Sequence, residues 1–508
     1  MKFWLLSAVI ALHLVIQAAG AERINHAGRI LGPPSVVTNA VLFNTTNADA
    51  IVSAMQILPV TNPWNEDISR RPLLPNSDAM IAQIISDLRS DRRMLIAFKE
   101  MNYVLVPDSQ AVSQIRFTAY PSESDLNGGV SPNGLYPIPS NMPVETWPSE
   151  TGGQTLEQWQ QNDDDSDRHA IIVQPGIGNL WETWRTVRTP TNWVAANGAK
   201  FNLNTNGLRP NGWTSADAAG FPMFPALVRF DECERGEIEH AMRIVVRRSR
   251  YNHYLYPATH YASAATNTSP NLPAMGQRVR LKSSFVIPAN WTKQEKAVLT
   301  ALKKYGAMVA DNGNFFSISV TPDNRWPANC FNNLRSVIIT NFEVISTTGP
   351  NEGPRSPGAP TAHAGADRTV SMNTPVQGFV NFSNPATTNK WKQYSGPGNV
   401  TFGDAALTNT TATFSAPGVY TLMLSADDGV HAVAYDAVVL TVTLSLALTI
   451  SPAGANVGLS WAGGTPPFVV ERTSAAFPTA WSGVVTTSQQ SVILPRTNGT
   501  GFFRVRGS

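Results

Sequence analysis

Apolar and polar residues alternate with a period of two along many short stretches of this chain. GEIEHAMRIVVRR, from Gly236 to Arg248, sets Ile238, His240, Met242, Ile244 and Val246 on one face of a predicted strand. Glu237, Glu239, Arg243 and Arg247 fall on the other. DRHAIIVQPGIGNLWETW predicts a hairpin turned at Pro175 to Gly178. In that register Val173 faces Leu180, Ile171 faces Glu182 and His169 faces Trp184. MGQRVRLK places Arg278, Arg280 and Lys282 on one strand face. A period of 3.6 appears after Thr292, where Thr292 and Glu295 form a capping box. Val298, Leu299, Leu302 and Tyr305 give that helix its stripe, and Gly306 ends it. AMVADNGNFFSISV then predicts a hairpin at Asn312-Gly313, and Thr214 with Asp217 predicts the cap of a short helix.

Composition sharpens this β-rich pattern. Charged residues make up 15% of the 508 positions, well below the roughly 25% of ordinary soluble proteins. With 36 Gly and 37 Pro, this fits a secreted β protein better than a helical cytosolic enzyme. The N-terminus agrees. Lys2, the apolar run Phe3 to Ile16 and the small residues Ala19, Gly20 and Ala21 read as a cleaved secretory signal over residues 1–21. The run is shorter than the ~20 residues that span a bilayer, so no integral membrane segment is expected after cleavage. The expected destination is extracellular, periplasmic or the cell surface. Cys233 and Cys330 are the only cysteines, and such a compartment permits a disulfide between them; two buried free thiols are the alternative. Half of TTGPNEGPRSPGAP, residues 347–360, is Gly or Pro, which marks a linker. It separates an N-terminal domain, residues 22–346, from C-terminal segments at 361–443 and 444–508.

Those segments carry resemblances. KWKQYSGPGNVTFGDA with Trp391, and ATFSAPGVYTLMLSADDG, resemble the PKD-like immunoglobulin-type modules of bacterial secreted proteins. NVGLSWAGGTPPFVVERT and GFFRVRGS look like a small fibronectin-type module. In the N-terminal domain, NPWNEDISRRPLLPNSDAMI, NGLRPNGWTSADAAGFPMFPALVRFDE, YPATHYAS and LPAMGQRVRLK resemble a family of secreted soil-bacterial proteins with no established activity. The implied fold class is mostly β: an α+β N-terminal domain of sandwich or jelly-roll type with a few helices, then two immunoglobulin-like β-sandwich modules. The modules imply spacing or adhesion.

Candidate chemistry lies in the N-terminal domain. Asp167, His169 and Glu182, beside Trp184, are the residue types of a sugar-processing cleft: carboxyls for acid and base work, and an indole for stacking. A rim ion pair over a packed Trp is the competing reading, and the commoner arrangement for such residues. Glu239, His240, Arg243, His260 and Tyr261 form a second catalytic set. With the basic ladder Arg278, Arg280 and Lys282 they suit elimination on an acidic glycan. A solvated strand face is the competing reading. Trp213 is either a sugar platform or a loop anchor. Asp427 and Asp428 leave calcium open as a cofactor, although a polar strand-to-turn corner accounts for them as well. Otherwise no cofactor is expected: the histidines lack HxH or HExxH spacing, and no phosphate-binding loop, GxSxG elbow or dinucleotide fingerprint occurs. No nucleic-acid motif accompanies the basic residues. The expected function is binding or processing of an extracellular polysaccharide, with acidic glycans among the candidates and, if there is catalysis, a glycoside hydrolase or polysaccharide lyase. The alternative is a non-catalytic cell-surface or matrix protein.

Overall fold

The computed structural model describes residues 22–444, 446–464, 466–475, 480–497 and 501–507. The signal-like segment, residues 1–21, lies outside the described residues. The protein is mostly β. It divides into two compact units. One holds Arg23–Ala359 with Asp427–Val433; the other holds Glu22, Pro360–Ala426 and Ala434–Ser508.

The first unit contains three larger sheets. A six-stranded sheet runs in the order Phe342–Val344, Arg278–Leu281, Ala307–Asn312, Met242–Val246, Phe316–Val320, Leu95–Lys99. A five-stranded sheet runs Asn197–Asn202, Asn179–Trp184, Ala170–Gln174, Val104–Leu105, Val41–Leu42. A four-stranded sheet joins Val187–Arg188, Trp193–Ala195, Ser113–Phe117 and Asn133–Tyr136. The sheets are mixed. Met242–Val246 lies parallel to Ala307–Asn312, and Phe316–Val320 lies parallel to Leu95–Lys99.

Local rules explain several elements. The Ala170–Gln174 and Asn179–Trp184 strands pair with Val173 opposite Leu180 and Ile171 opposite Glu182. The helix Lys293–Lys304 starts at Thr292, whose hydroxyl accepts from the Glu295 amide while the Glu295 carboxylate accepts from Thr292. That cap is worth about 1 kcal/mol. Its stripe, Val298, Leu299 and Leu302, is buried in the main core. Gly306 follows in the left-handed region at φ 67°, where a Cβ would sit 2.4 Å from the Val279 carbonyl oxygen.

Two local expectations fail for non-local reasons. Ala307–Asn312 and Phe316–Val320 are not hairpin partners, because the Met242–Val246 strand is inserted between them. No helix opens at Thr214. Residues 213–220 form a loop in which the Ser215 hydroxyl donates to Phe221 O at 2.7 Å and accepts from the Asp217 amide. The Gly- and Pro-rich stretch before Pro360 is anchored: Arg355 pairs with buried Glu66 at 3.1 Å, and the Thr348 hydroxyl donates to the same carboxylate.

In the second unit, Arg368–Ser371, Ala434–Thr443, Gly418–Asp427 and Thr388–Ser395 form one sheet, and Asn373–Gln377, Asn409–Phe414 and Val400–Phe402 another. Their inward side chains bury Trp391, Phe414, Tyr420, Leu422 and Leu440 in one core. The Tyr420 hydroxyl donates to Ala416 O at 2.8 Å, a link back along the chain that braces immunoglobulin-type sandwiches. Further on, Ala447–Ala453, Asn456–Ala462 and Ser491–Pro495 make one small sheet, and Phe468–Thr473 with its two neighbours makes another. Trp461 packs edge-on to Phe468 in their core.

Candidate functional site

The six-stranded sheet carries a polar row on one face. Arg243 and Val245 point the same way along their strand. Ser317 lies opposite Val245, so Ser319 shares that face. A β-bulge between Ile244 and Val245 skips Ala310 and sets Asp311 opposite Val245. Without the bulge, Ala310 would take that place and Asp311 would turn toward the apolar side.

Arg243 is the hub of this row. Its guanidinium donates to Asp217 at 2.7 Å and to the Ser319 hydroxyl at 2.9 Å, and lies 3.9 Å from Asp311. The Ser319 hydroxyl donates in turn to the Glu100 carboxyl, 2.9 Å away at the end of the neighbouring strand. Arg243 and Asp217 are buried, whereas the Asp311 side chain keeps 34% of its surface open. Burial raises Asp311 from 3.8 to about 6, and the charge of Asp217 adds to the rise against the pull of Arg243. Burial likewise lifts Glu100 well above the usual carboxylate range, with Glu145 adding repulsion.

His169 meets Glu145 rather than Glu182. Its Nδ1 lies 2.8 Å from the Glu145 carboxylate and its Nε2 lies 3.0 Å from Ala216 O. Both partners are acceptors, so both ring nitrogens donate and the ring is a cation. Burial alone would lower its pKa; Glu145 more than reverses this and holds it at about 9. No ring nitrogen is left to act as a base, and His169 is a positioning cation. Asp167 is exposed and accepts from the Trp184 indole at 3.0 Å. Its charge is felt at Asp311.

His260 and Tyr261 reach the same place. His260 Nδ1 lies 2.8 Å from Ala218 O, beside Asp217. The Asn312 side-chain NH2 donates to Ala262 O, which ties the Tyr261 segment to the residue after Asp311. The His260 and Tyr261 rings stack at 5.7 Å, and Tyr251 meets Tyr261 edge-on at 5.3 Å.

The other candidates lie apart. Glu182 is wholly buried and accepts from the Met223 and Phe224 amides at 2.9 Å. Glu239 binds Asn25 and Arg29 at 2.9 Å, and His240 sits between Ala241 O and Glu232, so these two belong to a separate ion-pair cluster. Arg278 and Arg280 do share a face, but that face is interior. Arg278 donates to Tyr305 O, and Arg280 grips Glu343 at 2.6 Å together with the Ile68 and Ser69 carbonyls. Lys282 is half-buried beyond the strand end. The two arginines of the basic ladder are therefore internal ties, and the row of three cations expected on one open face does not form. Trp213 is a loop anchor: Arg209 lies 5.4 Å over its ring, and its carbonyl accepts from Thr259. Cys233 and Cys330 are both free and buried, the second of the two alternatives. Asp428 accepts from the Val430 and His431 amides and the His431 ring. Among the described residues, no group of three or more His, Cys, Asp or Glu side chains is placed to hold a metal ion, and no helix is long and apolar enough to cross a membrane.

Asp217, Glu100, Glu145 and Ser319 were not among the sequence candidates, and Asp311, a possible site residue by its type, reads from the sequence as a turn residue. Asp217 sat in an apparent cap motif, and Glu100, Glu145 and Ser319 in stretches with no distinguishing pattern.

No family model and no curated protein matches the chain. Among solved structures, the PKD domain of the KIAA 1837 protein aligns at 22% identity, covering 20% of this chain and 97% of its own, with a TM-score of 0.15. The PKD domain of human KIAA0319 aligns at 16% identity over 22% and 99%, TM-score 0.17. A segment of titin domains aligns at 13% over 32% and 72%, TM-score 0.15. These likenesses concern architecture alone.

Proposed function

We propose that the first unit hydrolyses a glycosidic bond of an extracellular polysaccharide, with the immunoglobulin-like modules as spacers or adhesion units. The carrying observation is the placement of Asp311: its side chain keeps 34% of its surface open and lies 3.9 Å from the buried Arg243 guanidinium, which Asp217 holds at 2.7 Å, and burial with the charges of Asp217 and Asp167 raises its pKa to about 6. A raised acid beside a second carboxyl is the division of labour that glycoside hydrolysis needs. Asp311 protonates the departing glycosidic oxygen as the bond to the anomeric carbon breaks. Water adds to that carbon, and its proton passes to Asp167. Arg243, fixed by Asp217 and Ser319, positions Asp311 and limits the rise in its pKa. The elimination reading loses support, because Arg280 is paired with Glu343 and Arg278 is held in the interior by the Tyr305 and Glu66 carbonyls.

The test incubates the full chain with soluble polysaccharides and reads new reducing ends and the absorbance of unsaturated uronate. Reducing ends without that absorbance are expected. Asp311→Asn and Asp167→Asn should each lower turnover by about a hundredfold or more with unchanged thermal unfolding. Because the protonated form of Asp311 is the working one, the rate should fall as pH rises through about 6. Turnover that survives Asp311→Asn overturns the assignment.

A further inference from the structure

The ion-pair cluster of Glu239 and His240 borders a pocket that shares no residue with the Asp311 site. His26, Arg29, Arg229, Asp231 and Arg235 form much of its wall. The pocket is half-open and encloses about 30 Å³, room for about two water-sized groups. Its ion pairs are incomplete. Arg29 donates to Glu239 at 2.9 Å and Arg229 donates to Glu232, but Arg235 stands 3.6 Å from Asp231 and 3.7 Å from Glu239. Arg229 Nε and Asp231 Oδ1 answer each other only as an ion pair at 3.5 Å.

Three further buried nitrogens on this wall have no partner among the described residues: Arg229 Nη1, Arg235 Nε and His26 Nδ1. The first two are guanidinium N–H donors. The third is a lone pair, because Nε2 donates to Glu239 O and burial holds the ring neutral, with a pKa of about 3. Buried polar groups in native proteins are nearly always satisfied. These three therefore describe an occupant that accepts at two points and donates at a third.

Charge favours an anion there over water. Arg29, Arg229 and Arg235 face the carboxyls of Asp231, Glu232 and Glu239, and burial pushes Asp231 up against the pull of Arg229. His240 meets acceptors at both ring nitrogens and adds a positive charge whenever it is protonated, and the charge of Lys304 is felt at His26. The wall is thus neutral or positive, in a partly enclosed place where Coulomb attraction exceeds that in bulk water. A carboxylate supplies the pair of acceptors that guanidinium donors match best.

We propose that this pocket binds the carboxylate end of a hydroxy acid. The carboxylate oxygens accept from Arg229 Nη1 and Arg235 Nε, a hydroxyl of the same molecule donates to His26 Nδ1, and the remainder leaves through the open side. The proposal stands independently of the hydrolase reading. Small hydroxy acids and sugar acids share this chemistry, and the experiment separates them.

The full chain is titrated calorimetrically with lactate, D-galacturonate, acetate and D-galactose. Lactate, galacturonate or both should bind saturably with a Kd of about 1 mM or tighter, and the one that binds identifies the source. Acetate lacks the hydroxyl and galactose lacks the carboxylate, so each should bind at least about tenfold more weakly. Arg235→Ala should weaken binding about tenfold or more. Met55→Trp keeps every charge and fills the pocket from its half-buried wall, and should abolish binding. Thermal unfolding is recorded for both variants, since Arg235 also donates to Ser53; if Arg235→Ala does not fold, Met55→Trp decides. An unchanged affinity in either folded variant overturns the proposal, as does acetate or galactose binding as tightly as the better hydroxy acid. No saturable binding of lactate or galacturonate also overturns it and leaves the three nitrogens to water.

Discussion

Replacing Glu182 by glutamine removes one ionisable group from the interior of the five-stranded sheet. The side chain has no exposed surface, and its carboxylate is met by the amides of Met223 and Phe224. Those two donors stabilise the charge, but burial outweighs them and lifts the pKa from 4.5 to about 7. Between those pH values the folded chain binds a proton that the unfolded chain has released, so stability falls as pH rises through the window. At ~1.4 kcal/mol per pH unit, the loss from this residue is about 3 kcal/mol by pH 8. Glutamine keeps an acceptor for the amides and carries no charge. It should cost about 1 kcal/mol at pH 5 through its extra, unpaired donor, and be the more stable form at pH 8. Glu100 and Asp311 add the same slope to both proteins, so the difference between them isolates Glu182. Urea unfolding of the full chain at pH 5 and pH 8, followed by tryptophan fluorescence through the first unit's transition, measures it. Parallel pH dependences in wild type and Glu182→Gln would refute the assignment of that buried charge.

Two further outcomes test the scaffold. Thr292→Ala removes the hydroxyl that caps the Lys293–Lys304 helix and should destabilise the first unit by about 1 kcal/mol, read as a lower urea midpoint. Arg280→Ala leaves Glu343 unpaired against the Ile68 and Ser69 carbonyls and should cost about 3 kcal/mol, while retardation in polysaccharide gels stays unchanged where the protein is folded; a loss of retardation would return Arg280 to the binding surface.

The parts legible in the sequence were those governed by neighbours along the chain. The turn from Pro175 to Gly178 set a hairpin whose register placed Ile171 against Glu182, and a capping box with a 3.6-residue stripe set a helix. Alternation also put Arg278 and Arg280 on one face correctly, but no local rule says whether a face is wet. That depends on Glu66 and Glu343, which come from distant segments. Asn312-Gly313 looked like a hairpin turn because nothing near it in sequence announces that Met242–Val246 enters between the two strands. His169 was visible as a candidate; its partner Glu145, 24 positions away, was not. Asp311 looked like part of the turn at Asn312-Gly313, and the bulge at Ala310 that sets it opposite Val245 has no local signal.

That bulge also binds the site to the backbone. The Ala310 carbonyl accepts the Ala219 amide at 3.0 Å, two residues beyond Asp217. The same peptide that re-aims Asp311 thus holds the loop that presents Asp217 to Arg243. The main-chain bond sets the spacing of the two backbone segments that carry these carboxyls. The Ala219 amide is accordingly a native gauge of the backbone under the site: its hydrogen exchange is expected to be slow while the loop is docked on the bulge, and a movement of the loop away from the strand exposes that proton to water.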